Sequence, residues 1–123
     1  MTLSLLDYSP SKRERYVLRV MIETVEEFSA LPYQLVVERR SSGSLVDFTI
    51  RGLAINWQPS TIPSSAAYVE DIGIEHEGFV TIAVWRADNV CSIPIALEHG
   101  KLRIIEHPKQ PTFLEVRLAD SDH

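Results

Sequence analysis

Residues 10–30 read PSKRERYVLRVMIETVEEFSA, and the reading of this stretch decides the fold. Val17, Leu18, Met21, Ile22, Val25 and Phe28 recur at spacings of three and four, which places them on one stripe of an α-helix. Ser9 suits the cap, and Pro10 suits the first helical position, where a missing N–H costs nothing. Ser11 with Glu14 offers an alternative capping box. Pro32 closes the segment, because the residue before a proline avoids helical geometry. The spacing therefore predicts an amphipathic helix over 10–30, long enough to cross one face of a small sheet.

The charges of that helix run against its dipole. Lys12, Arg13 and Arg15 occupy the first turns, and Glu23, Glu26 and Glu27 the last, the reverse of what a helix prefers. Arg19 and Glu23 at four-residue spacing recover part of the loss. Two such helices paired antiparallel across a two-fold axis set each basic end beside the mate's acidic end. Lys12, Arg13, Arg15, Glu23, Glu26 and Glu27 are therefore candidate dimer contacts.

Everything after Pro32 reads as strand and turn. Tyr33, Leu35 and Val37 alternate with Gln34 and Glu38, and Ser41-Ser42-Gly43 is a turn. Val46, Phe48 and Ile50 alternate with Asp47, Thr49 and Arg51. At Gly52 the parity slips, which marks a β-bulge or sharp bend. Residues 58–65, with two prolines and four hydroxyl side chains, form a loop. From Ala66 the pattern predicts a meander: strands 66–74, 79–85, 90–97, 102–105 and 113–118, with His99-Gly100 suited to a two-residue primed turn. The expected fold is α+β. It is one domain, residues 1–123, with helix 10–30 packed on an antiparallel, mostly meandering sheet of six or seven strands and a frayed acidic tail at 119–123.

Two strands of this meander are apolar on both faces. Residues 79–85 show Phe79, Thr81, Ala83 and Trp85 on one side and Val80, Ile82 and Val84 on the other. Residues 90–97 show Cys91, Ile93, Ile95 and Leu97 against Val90, Ser92, Pro94 and Ala96. A sheet with one wet face alternates cleanly, so these strands are expected to be covered on both sides. One helix covers one side. The other needs strands 33–57 folded over it or a second copy of the chain, and a homodimer is the expectation. Pro94 conflicts with a central position, because it cannot donate to a ladder.

Composition excludes several classes. The chain has 123 residues, 45% of them hydrophobic, which is normal for a single globular core. No window approaches the length of an apolar membrane span, and Met1–Tyr8 lacks the basic start of a signal peptide. One cysteine, Cys91, favours a reducing cytoplasm. The net charge is −5, and all of it lies in residues 61–123, which carry ten acidic and five basic side chains. That argues against nucleic acid as a partner and is compatible with a basic protein.

No phosphate loop, paired-cysteine motif, His-Glu-x-x-His or nucleophile elbow is present in the sequence, and no cofactor is expected. Trp57 and Tyr68 flank the Pro/Ser loop, where an aromatic side chain serves either as a recognition anchor or as a plug over the core. Asp47 and Arg51, on the wet side of one strand, either floor a polar pocket or face solvent. The turns Glu75-His76-Glu77 and Glu98-His99 are expected at one end of the sheet, where they either hold a divalent metal or stand as solvated tips. The tips are expected too far apart to ligate, so no metal is assigned. The favoured function is a non-catalytic interaction or regulatory module acting through a protein partner or self-association. The alternative is a small-ligand-binding or enzymatic domain with a pocket between helix and sheet near Trp57.

Overall fold

The computed structural model describes residues 1–10, 16–28, 33–55, 64–108 and 113–118, and among these there is no helix. The described residues form nine strands: β1 (Thr2–Pro10), β2 (Tyr16–Phe28), β3 (Tyr33–Ser42), β4 (Leu45–Ile55), β5 (Ser64–Ile74), β6 (Gly78–Arg86), β7 (Asn89–Glu98), β8 (Lys101–Ile104) and β9 (Glu115–Leu118). They build two sheets, ordered β5-β2-β1-β9 and β3-β4-β6-β7-β8. The α+β expectation is overturned: the described residues make an all-β sandwich.

The expected helix is the central strand β2. Its physical reason was present in the composition of the segment. Tyr16, Val17, Val20, Ile22, Thr24, Val25 and Phe28 are β-branched or aromatic, seven of thirteen residues, and such side chains lose rotamer freedom in a helix but fit a pleated surface. The apolar run at 16–22 fits both periods, and a short continuous run cannot be assigned by period alone. The observed period is two: Leu18, Val20 and Ile22 are fully buried, while Arg19 between them is exposed. Ser9 and Pro10 end β1 rather than capping a helix.

Three further expectations fall with the helix. In a strand there is no macrodipole for the charges to oppose, and β2 offers no helix to pair across a dimer axis. Glu23, Glu26 and Glu27 lie on β2, while Lys12, Arg13 and Arg15 lie outside the described residues. Arg19 does not use Glu23. Its guanidinium bonds the carboxylate of its cross-strand partner Asp71 on β5, Nε to Oδ1 at 2.8 Å.

The meander is also corrected. β5 belongs to the four-stranded sheet and β6 to the five-stranded one, so residues 75–77 step from one sheet to the other. β6 pairs β4 in parallel, and β9 pairs β1 in parallel. A short polar connection is the same locally whether it closes a hairpin or turns a corner. The hairpins β6-β7 and β7-β8 are present, the second through His99 at φ 54° and Gly100 at φ 74°, the two positive values a primed turn needs. The slip at Gly52 is a bulge: Val36 pairs Gly52 and Val37 pairs Ile50, which leaves Arg51 as the extra residue.

The core lies between the sheets. Leu3, Leu5, Leu18, Val20 and Ile22 come from one, and Phe48, Ile82, Val84, Ile93, Ile95 and Leu97 from the other. Each buried side chain of this size contributes about 1.5–3 kcal/mol. Cys91 joins this core. Pro94 sits at the centre of β7 without cost to the ladder. Thr81, its β6 partner, donates its N–H to Ser44 on the far side, so that rung needs no donor from Pro94. Pro94 turns toward β8, where its carbonyl accepts from Ile105 N at 2.9 Å just beyond the last paired residues. Along one flank Arg39 of β3 pairs with Glu70 of β5, tying the two sheets together at their edges. No described helix is long and apolar enough to cross a membrane.

Candidate interaction surface

The two outer faces of the sandwich differ in what they expose. On the four-stranded sheet, Arg19 and Glu23 of β2, Asp71 of β5 and Glu115 and Arg117 of β9 point away from the core. Val69 is the one large apolar side chain strongly exposed there among the described residues of β1, β2 and β5. The face is mixed, since Met21 stands beside Val69, and Thr2 and Ser4 of β1 on the same side are buried.

The five-stranded sheet exposes more large apolar side chains on its outer face. Its outer side carries Leu45, Asp47 and Thr49 of β4, then Phe79, Thr81, Ala83 and Trp85 of β6, then Val90, Ser92, Pro94 and Ala96 of β7. The register aligns them in rows across the strands: Thr49-Trp85-Val90, Asp47-Ala83-Ser92, Leu45-Thr81-Pro94, and Phe79-Ala96-Arg103. Phe79 is 68% exposed, the most of any large apolar side chain described; Leu45 is exposed in the next row, and Trp85 and Val90 at the far end of the stripe. Ala83 and Ala96 on the same face are nearly buried, at 4% and 3%. Large side chains therefore stand around shallow hollows floored by alanine.

Charged groups frame this apolar stripe and are held in place. The Trp85 indole Nε1 donates to Asp47 Oδ1 at 3.1 Å. At the β3 side, Arg51 grips Glu38 with Nε and a terminal nitrogen, at 3.0 and 2.6 Å. Arg40 bonds the other oxygen of Glu38 at 3.1 Å. The hydrogen bond from Arg51, then that from Arg40, holds the Glu38 carboxyl below its ordinary value. Arg51 lies two residues beyond Thr49, the cross-strand partner of Glu38. Glu38, Asp47 and Glu98 are set against Arg40, Arg51, Lys101 and Arg103, so the face is close to neutral in a chain of net charge −5.

Two of the binding candidates read from sequence, Asp47 and Arg51, meet on this face. Tyr68 does not. It lies on β5 at the flank, its ring edge-on to Phe48 with centroids 6.2 Å apart and its hydroxyl bonded to Glu70. Trp57 lies outside the described residues, and the expected pocket between helix and sheet has no described helix to form it. The residues not named from sequence as a site are Phe79, Trp85, Val90 and Leu45. The signal for most of them was the two-faced apolar pattern of 79–85 and 90–97.

The turns at His76 and His99 do lie at one end of the molecule. They are joined by Glu77, whose Oε2 accepts from Gly100 N at 3.0 Å and from the Tyr8 hydroxyl at 2.7 Å. Tyr8 in turn stacks on Tyr16, with centroids 5.1 Å apart. Among the described residues no three metal-ligating side chains are grouped. Comparison of the chain with protein-family models, with curated proteins and with solved structures returns no match. The functional reading therefore rests on the geometry of this chain alone.

Proposed function

We propose that the protein is a non-catalytic interaction module that works by burying the outer face of its five-stranded sheet against another protein surface. The observation that carries this is the set of exposed apolar side chains on one outer face, Phe79 and Leu45 toward one end and Trp85 and Val90 at the other, with Ala83 between them and charged groups at the margins. Singly exposed apolar side chains are ordinary, whereas a contiguous stripe rimmed by polar groups is typical of an interface. Trp85 and Phe79 are of the residue types that anchor such contacts, and Arg40 and Arg51 supply a polar rim. The reading takes the protein as cytoplasmic, on the ground that its one cysteine, Cys91, can form no internal disulfide and suits a reducing compartment.

A photo-crosslinking amino acid placed at Ser92, on the apolar face, tests this in the protein's own cells. It is expected to give a discrete covalent protein adduct, while the same group at Asp71, on the other outer face, gives none. Absence of any adduct at Ser92 would refute the reading.

A further inference from the structure

The apolar face of the five-stranded sheet has a size, charge and shape that select one kind of occupant. Taking that face as the interaction surface proposed for the protein, we infer that it is covered in the working protein by a second copy of the same chain, packed face to face about a two-fold axis. Three observations lead there.

The first is size. Five strands about 4.8 Å apart, with about nine residues at 3.4 Å each, give a face on the order of 700 Å². A stable interface takes about 800 Å² from each partner. The face as a whole is thus of the size a stable dimer buries, and it is larger than a ridge or peptide would cover.

The second is charge. Two chains of net charge −5 repel, and the repulsion is least where their meeting surfaces are neutral. The carboxylates of Glu38 and Asp47 are both engaged by partners within the same face. The acidic excess lies elsewhere. A strongly basic partner would find little on this face to bind.

The third is shape. A two-fold axis lying in the plane of the face and crossing β6 between Thr81 and Ala83 exchanges the two end rows of the stripe. Phe79 then meets the partner's Trp85, and Val90 meets the partner's Ala96. The registers that put Trp85 beside Val90 and Phe79 beside Ala96 make this possible. Val90 then finds the smaller Ala96, and the two exposed aromatic rings meet each other twice over, as the paired contacts of a two-fold interface do. A second sheet packed in this way sits about 10 Å from the first.

Sedimentation equilibrium of the purified full chain at micromolar concentration tests the inference. The expected result is a species of twice 13.9 kDa. Phe79→Arg is expected to weaken the dimer by at least about 30-fold, as loss of an aromatic anchor and burial of a cation do. Because Phe79 is exposed in the single chain, the variant keeps its fold, checked by its circular dichroism. Trp85→Glu is expected to weaken it likewise, and Phe79→Arg combined with Trp85→Glu to restore association, each new cation facing the mate's new carboxylate. A double variant no tighter than the singles would overturn the two-fold arrangement. A monomer at all concentrations, with an adduct at Ser92 of some other mass, would overturn the second copy and leave the interaction surface standing. A monomer with no adduct at all would remove both.

Discussion

The indole of Trp85 is anchored to the carboxylate of Asp47, Nε1 to Oδ1 at 3.1 Å, across the parallel pair β4-β6. This bond restrains a large, part-exposed ring before anything docks on it, which lowers the conformational entropy lost on association. Asp47→Ala is expected to leave the fold within about 1 kcal/mol of the parent, since both groups can reach water. It is expected to weaken self-association by roughly three- to tenfold. Urea unfolding and sedimentation on the same samples separate the two effects. A stability loss above about 2 kcal/mol would give the bond a structural role instead.

Acid should loosen two surface ion pairs before it reaches the core. The hydrogen bond from Arg51 lowers the Glu38 carboxyl, and the one from Arg19 lowers that of Asp71. Each folded value lies below the unfolded one. The contribution is therefore complete above the ordinary carboxylate range and is lost as pH falls through the folded values. Carboxyl chemical shifts followed by NMR should show Glu38 rising toward its ordinary value in Arg51→Met, and Asp71 doing so in Arg19→Met. Added salt should shrink both shifts, because the pairs are exposed. Unchanged titration curves would show that the pairs do not persist in solution.

Gly52 holds φ at +146°, a conformation that residues with a Cβ rarely adopt, at the bulge that offsets Arg51. Nothing lies within 4 Å of an added Cβ, so backbone strain alone is tested by Gly52→Ala. The expected loss is about 1–3 kcal/mol by thermal or urea unfolding. A neutral result would mean the bulge relaxes elsewhere.

Glu77 fastens the step between the sheets to β1 and to the β7-β8 turn through Tyr8 and Gly100 N. Its replacement by Ala strips both donors of this acceptor and should cost about 1–3 kcal/mol. Glu77→Gln should cost less, because the amide oxygen still accepts. Hydrogen exchange at the Gly100 amide is the local readout, and equal exchange in parent and variant would reject the role.

Cys91 is buried against the core of β7, at 6% exposure. A thiol reagent should therefore label it only through opening of the sandwich. The rate should rise steeply with Phe48→Ala, a core truncation expected to cost about 3–5 kcal/mol. Rapid labelling of the native parent protein would contradict the placement.

Much of the sheet region was legible in the chain. The period-two alternation around Phe48, the parity slip at Gly52, the primed turn at His99-Gly100 and the two-faced strands 79–85 and 90–97 all stand where local pattern put them. Strand period and turn chemistry are written within a few residues, so they survive without knowledge of the rest. The segment 16–28 was different. Its apolar residues satisfied both helical and strand spacing, and only pairing with β1 on one side and β5 on the other decided for a strand. The rungs to β1 join residues 6 to 21 positions apart and those to β5 join residues 36 to 58 apart, and the latter lie beyond the reach of any local pattern. The same holds for the surface. Sequence showed that strands 79–85 and 90–97 had apolar groups on two sides. Only the sandwich decided which side the other sheet covers, leaving Phe79, Trp85 and Val90 outside, because one sheet packs on only one face of another.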